Sequence, residues 1–145
     1  MNKILKNLQI IDRKIAHQLL RLTPQNFAKL WVSKKDFHKH LKKRTRLKEI
    51  ATPQEYIDHI KEAFSEPQII YYLNNHRSKI VYVGKKWLDL YLDNAKLITS
   101  FPLTKPLKEV LKKERLHRYH IIPIDPELLQ RGRKKYKIKR KKGCQ

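Results

Sequence analysis

The chain has 145 residues, the length of one domain or of one domain with a tail. Its 35 lysines and arginines face only 13 acidic residues, and the resulting formal net charge of +22 favours a polyanionic partner. Nucleic acid is favoured over a membrane surface, because no long basic amphipathic helix with bulky aromatics stands apart from the rest. No apolar run approaches the roughly 18 residues of a transmembrane helix, and the N-terminus lacks the pattern of a secretory signal.

Residue counts also limit the chemistry that we expect. The single cysteine, Cys144, cannot form an internal disulfide or a zinc knuckle. The few, scattered carboxylates make a magnesium site unexpected, and three glycines are too few for a phosphate-cradling loop. We therefore expect neither a metal nor a cofactor.

The first half of the chain has helical patterns. Residues 4–22 repeat an apolar residue every three or four positions, which predicts an amphipathic helix. The β-prone residues 30–32 predict a short strand. Ser33 then caps a second helix, whose narrow apolar face is formed by Phe37 and Leu41.

The middle of the chain changes from a helical to a strand period. Thr52-Pro53 predicts the start of a third helix, with Pro in its first turn. Four segments separated by turn-forming residues then predict an antiparallel meander. In the third segment, apolar and mixed positions alternate, so we expect one core face and one partly solvated face. The four predicted strands are residues 69–73, 79–83, 86–92 and 95–101.

These elements predict an α+β fold, with N-terminal helices packed on an antiparallel sheet of four to five strands. Beyond the sheet, the prolines increase and the chain ends in a basic tail, with nine lysines or arginines among residues 131–142. We predict four parts, an N-terminal amphipathic helix, an α+β core, a C-terminal extension and the tail, at residues 1–24, 25–104, 105–130 and 131–145.

Two histidines lie two residues apart in the basic stretch KLWVSKKDFHKHLKKRTR. On a helix, His38 and His40 are rotated by about 200°, so they do not easily serve one site. His40 borders the apolar face and lies one turn from Arg44, with Lys43 on the same side. Like charges favour the neutral imidazole, which suits a general base, while the guanidinium suits a phosphate. The alternative is a basic helix with incidental histidines.

Further candidates lie in the meander and the tail. The last strand contains Thr99 and Ser100, whose hydroxyls can donate to a phosphate, although the β-propensity of Thr also explains that pattern. Lys79 at a strand edge either contacts a phosphate or protects the edge. The remaining candidate substrate-binding residues are His76, Arg77, Arg133 and Lys134. Tyr71, Tyr72, Tyr82 and Trp87 offer stacking surfaces for unpaired bases, with half of them expected in the core.

The order of the elements carries a family resemblance. The segment Leu-Trp-Val-Ser, the helix Phe-His-Lys-His-Leu-Lys-Lys-Arg, and the final strand Ile-Thr-Ser-Phe-Pro follow one another in that order. This arrangement resembles the barnase–EndoU–colicin–RelE superfamily of small nucleases, in the branch found in phage proteins and polymorphic toxins. The resemblance covers roughly residues 29–104. In that branch a second histidine often follows the first by about four residues, and here Arg44 or Lys43 stands in its place.

The resemblance implies a metal-independent endoribonuclease toxin with a catalytic set of His40, Arg44 and Thr99 or Ser100. His40 would activate the ribose 2′-OH, Arg44, Lys43 and Lys79 would stabilise the developing charge, and His38 or His76 would donate a proton. The expected partners are RNA, in particular tRNA, and an acidic inhibitor, and the expected location is the cytoplasm of the producing or target cell. The alternatives are a non-catalytic RNA- or DNA-binding protein and a phage structural protein.

Overall fold

The computed structural model describes residues 2–74 and 77–133, with backbone alone at positions 2, 117 and 131. It is an α+β structure with N-terminal helices and a five-stranded antiparallel sheet, which confirms the predicted fold class. The helices are α1 (Asn2–Leu20), α2 (Lys34–Arg46), α3 (Pro53–Ser65), α4 (Leu107–Lys113) and α5 (Glu127–Arg133). The strands are β1 (Ile69–Asn74), β2 (Lys79–Val83), β3 (Trp87–Leu92), β4 (Leu97–Pro102) and β5 (His120–Ile124).

Side-chain caps fix the start of α2, which carries His38, His40, Lys43 and Arg44, and the start of α3. The Ser33 hydroxyl accepts a hydrogen bond from the backbone N–H of Asp36, at the start of α2. The Thr52 hydroxyl accepts one from Glu55, and Pro53 occupies the first turn of α3. Each cap pairs an N–H that the helix itself leaves free.

The predicted strand at residues 30–32 is wrong. A 3-10 helix spans Phe27–Leu30, and Trp31 forms only one isolated bridge, parallel to Leu97. The Trp31 ring is buried against Phe27, Phe37 and Tyr56, so aromatic packing overrides the β-propensity of this segment.

Both faces of the sheet are buried, which corrects the expectation of a partly solvated face. Strand β3 is buried at five of its six positions. Its Trp87 and Tyr91 belong to the main core beneath α1, α2 and α3, while Leu88 and Leu90 pack in a second core with Val110 of α4. Because Tyr72, Tyr82 and Trp87 are all buried, they do not offer stacking surfaces to bases.

The segment predicted as a C-terminal extension completes the sheet. Strand β5 pairs antiparallel with β1 and gives the strand order β4-β3-β2-β1-β5. Pro123 lies in this strand, and a strand at the edge of a sheet tolerates the missing N–H.

A buried ion pair joins helices α1 and α5. Arg133 of α5 donates two hydrogen bonds to the Asp12 carboxylate of α1, at 2.9 and 2.7 Å. It also donates to the backbone oxygen of Phe64 at 2.6 Å, and the Tyr82 hydroxyl donates to Asp12 at 2.6 Å. Both charged residues are less than one tenth exposed, so the pair lies in the core.

Candidate active site on helix α2

Helix α2 presents a strongly basic surface. The hydroxyl of its N-cap residue, Ser33, also donates to the carboxylate of Asp36, which is the acidic residue of the first turn. The lysines and the arginine that point outward supply the positive field that a phosphate backbone requires. The exposed cations of α2 are Lys34, Lys35, Lys39, Lys42, Lys43 and Arg46.

His40 lies at the border between this surface and the core, as the helical pattern predicts. Its ring is half-buried and stacks on the buried ring of Trp31, with 5.1 Å between ring centroids and 16° between planes. Burial lowers the pKa of His40, and the charges of Arg44, Lys39 and Lys43 lower it further against the opposing effect of Asp36. Burial is therefore the largest cause, ahead of the like charge that the sequence suggested. A fixed imidazole that is neutral near pH 7 can act as a general base.

The second histidine of the helix has a different environment. His38 is exposed, and its ring lies 5.0 Å from that of Phe37. His40 stacks on Trp31, whereas the ring of His38 packs beside Phe37, so the two histidines lie on different parts of the helix surface.

Arg44 does not have the exposed position that a bidentate phosphate contact needs. It is 7% exposed, and its Nη1 donates to Oε1 of Glu49 at 2.6 Å. Its buried Nε has no hydrogen-bond partner among the described residues, and neither has Nε1 of Trp31. Arg44 acts on the site through its charge, which lowers the pKa of His40.

The hydroxyl residues of the last strand are buried as well. Ser100 accepts a hydrogen bond from Nε1 of Trp87 and donates one to Oδ1 of Asp89 at 2.7 Å. Tyr56 of α3 donates its hydroxyl to the backbone oxygen of Ser100 at 2.6 Å. Ser100 and Thr99 are at most 5% exposed, so neither is placed to touch a substrate. These contacts give Ser100 a structural role in place of the predicted phosphate contact.

Asp89 is the carboxylate at the centre of this network. It is fully buried, and burial raises its pKa, although hydrogen bonds from Ser100 and Tyr91 oppose that effect. Ser100→Ala would remove one of those donors and leave the indole N–H of Trp87 unpaired.

We expect Ser100→Ala to lower the free energy of unfolding by about 1–3 kcal/mol, because buried polar groups lose their partners. Urea denaturation monitored by tryptophan fluorescence measures the change. Ser65→Ala is the control, since the Ser65 hydroxyl donates to backbone oxygens of its own helix, and its effect should stay within about 0.5 kcal/mol. Equal effects for the two variants would contradict the network.

The other predicted site residues have several different environments. Lys79 donates to the hydroxyl of Tyr119 and lies over its ring, and Tyr119 packs in the second core on the opposite face from α2. Arg77 is exposed and pairs with Asp93 at 2.9 Å. Arg133 is buried in its ion pair with Asp12, so it cannot bind a substrate as predicted. Lys43 is exposed beside His40, as expected, whereas His76 and Lys134 lie outside the described residues.

An unpredicted row of aromatic rings supports the site. Trp31 contacts Tyr56 at 5.8 Å and Tyr56 contacts Trp87 at 5.9 Å, between ring centroids. His59 stacks on Trp87 at 4.2 Å, so a histidine lies at each end of the row, with His40 at the other. The row contains both tryptophans of the chain, Trp31 and Trp87. Their presence was the signal from which the sequence could have suggested such a row.

Within residues 2–74 and 77–133, no three His, Cys, Asp or Glu side chains lie close enough together to hold a metal ion. No helix in that part of the chain has the length and hydrophobicity to cross a membrane.

Residues 21–142 match the model of a family described as uncharacterised protein aq_aa01, so the match begins just after α1. No curated protein and no solved structure matches the chain.

Proposed function

We propose that this chain, which belongs to the uncharacterised protein aq_aa01 family, is an endoribonuclease that cleaves RNA with His40 as its general base. One observation carries the proposal. The His40 imidazole is held against Trp31, has a lowered pKa, and lies beside exposed lysines on a strongly basic helix. RNA is the polyanion that can use such a base directly, because its 2′-OH is a nucleophile already adjacent to the phosphorus.

In the proposed reaction, His40 accepts the proton of the ribose 2′-OH. The 2′-oxygen then forms a bond to the adjacent phosphorus, and the bond from phosphorus to the 5′-oxygen breaks. The leaving 5′-oxygen takes a proton from water or from an ammonium group such as Lys43. The products are a 2′,3′-cyclic phosphate and a 5′-hydroxyl end. Exposed Lys39 and Lys43 stabilise the negative charge that develops on the phosphoryl oxygens.

The substrate class and partners follow from the charge. With a net charge of +22, the chain suits an extended and structured polyphosphate, and we propose tRNA as the substrate. An acidic inhibitor protein that covers α2 would suppress the activity in the cell that makes a toxin of this kind.

The test is incubation of the protein with total tRNA in excess EDTA. The proposal predicts discrete cleavage that EDTA does not suppress. Binding without cleavage would favour the second candidate below, and cleavage that requires added magnesium would contradict the mechanism.

A second candidate is an RNA-binding protein without catalysis. Two observations favour it, since Arg44 is buried in a pair with Glu49 and Ser100 is buried in a pair with Asp89. Of His40, Arg44, Thr99 and Ser100, His40 alone keeps access to solvent. The predicted proton donor His38 is exposed.

The pH dependence of cleavage gives a further prediction. A base must be unprotonated, so kcat/KM, which reports the protein before RNA binds, should rise with pH and then level off. Because the pKa of His40 is lowered from 6.5, chiefly by burial, the midpoint of the rise should lie below pH 6.5. Lys43→Gln should move the midpoint upward, because it removes one positive charge that lowers this pKa. A midpoint above pH 6.5 in the unmodified protein would contradict the assignment of His40.

A further inference from the structure

A basic groove runs along helix α1 and the turn between β3 and β4. It consists of two adjoining clefts, with volumes of about 380 and 240 Å³, that share His17 and Gln18. We call it the α1 groove. The first cleft is lined by Arg13, Lys14, His17, Gln18, Asn94 and Ala95. The second adds Arg21, Leu22, Asn26, Lys29, Leu30 and Lys96.

Side-chain hydrogen bonds hold the two walls of the groove together. Gln18 of α1 donates from Nε2 to the backbone oxygen of Ala95, at 2.6 Å, in the turn between β3 and β4. Lys96 in the same turn donates from Nζ to the backbone oxygen of Lys29 at 2.7 Å. Each bond crosses from one wall to the other, so the groove is formed before any ligand arrives.

The charge of the groove has one sign. Five of its lining side chains are lysine or arginine, and no Asp or Glu is among the described residues that line it. Asp93 lies in the same turn, but Arg77 pairs with it at 2.9 Å. A concave surface of this kind concentrates the field on a linear polyanion.

The groove ends beside the candidate active site. Lys29 and Leu30 line its second cleft, and the next residue along the chain is Trp31, on which His40 stacks. The opposite wall is continuous as well, since Lys96 is followed by Leu97, whose backbone bridges to Trp31. A strand that leaves the groove at Lys29 therefore arrives next to α2.

We propose that the α1 groove binds the sugar–phosphate backbone of an RNA strand, and that this strand continues to His40. The first part stands on the groove alone, whereas the continuation to His40 rests on the proposed function. The residues of α1 that line the groove precede the stretch matched by the family model, whereas Arg21, Lys29 and Lys96 lie within it.

The test compares two variants that each remove three positive charges. Lys14, Arg21 and Lys29 are exposed groove residues, and Lys108, Lys112 and Lys113 are exposed residues of α4, which packs on the other face of the sheet. Both sets are changed to Gln, and the dissociation constant for a labelled single-stranded RNA oligonucleotide is measured at several salt concentrations.

In a plot of the logarithm of the dissociation constant against the logarithm of the salt concentration, loss of three phosphate contacts should make the slope smaller by about 2. The same loss should weaken binding roughly 100-fold at 0.1 M salt. The α4 variant should weaken binding far less. Equal losses for the two variants would overturn the groove. The single variants Arg21→Gln and Lys29→Gln should each weaken binding about fivefold, and they guard against an unfolded triple variant.

Cleavage separates this inference from the proposed function. With protein in excess over a labelled RNA, the groove variant should need roughly 100-fold more protein to reach half of its maximal cleavage rate. His40→Ala should instead lose the maximal rate and keep the affinity. If the unmodified protein does not cleave RNA but the groove variant binds RNA more weakly, the groove is supported and the proposed ribonuclease activity is contradicted. A groove variant that binds normally would overturn the inference, whatever His40→Ala does.

Discussion

His40→Ala should lower the single-turnover rate of RNA cleavage about 10²–10⁴-fold, which is the contribution of a general base. The affinity for RNA should change little, because His40 is neutral near pH 7 and the exposed lysines of α2 remain. The measurement is the cleavage rate of a labelled RNA with protein in excess.

Two control variants separate chemistry from packing. His40→Phe keeps an aromatic ring that can stack on Trp31, but it removes the base, so its loss of rate should match that of His40→Ala. His38→Ala changes the exposed histidine of the same helix and should have a much smaller effect. Full activity in His40→Phe would contradict the role of the imidazole.

Asp12→Ala should lower the free energy of unfolding by about 3–5 kcal/mol, because it leaves the Arg133 guanidinium buried without its carboxylate. Arg133 cannot reach water easily, since its side chain is 8% exposed and lies over the ring of Phe64 at 3.8 Å. Urea denaturation measures the change.

The chain offers a matched control for this ion pair. Arg77 and Asp93 pair at 2.9 Å on the surface, so Asp93→Ala should cost less than about 1 kcal/mol. The double variant Asp12→Ala with Arg133→Met should be more stable than Asp12→Ala alone, since it removes the unpaired charge. Similar losses for Asp12→Ala and Asp93→Ala would contradict a buried pair.

The fold could be predicted where local patterns act alone. Ser33 and Thr52-Pro53 predict the starts of α2 and α3, and the structure has both helices starting there. The turn-forming residues between the segments predict β1 to β4, and the observed strand bounds agree within two residues. The pattern could not show that β5 joins the sheet, because its five residues contain Pro123 and pair with β1 across about 50 positions of sequence. It could not show that α4 covers the second face of the sheet either, because Val110 of α4 packs against strand residues that are distant in sequence.

The candidate site could be predicted only in part. Helical period placed His40 at the edge of the packed face, and the structure has it there. The burial of Arg44 depends on Glu49, which lies beyond the end of α2, and the burial of Ser100 depends on Asp89 of the neighbouring strand. Residue type suggested phosphate contacts for both, but tertiary pairing decides which polar groups stay accessible.

The ends of the cleaved RNA test the central claim most directly. Attack by the 2′-OH leaves a 2′,3′-cyclic phosphate on one fragment and a 5′-hydroxyl on the other, and mass spectrometry of the fragments distinguishes these ends from all others. We predict the cyclic phosphate with the unmodified protein and no cleavage at a position where the ribose is replaced by 2′-deoxyribose. A fragment with a 3′-hydroxyl end, or cleavage at the deoxyribose, would contradict the use of His40 as the base for the 2′-OH.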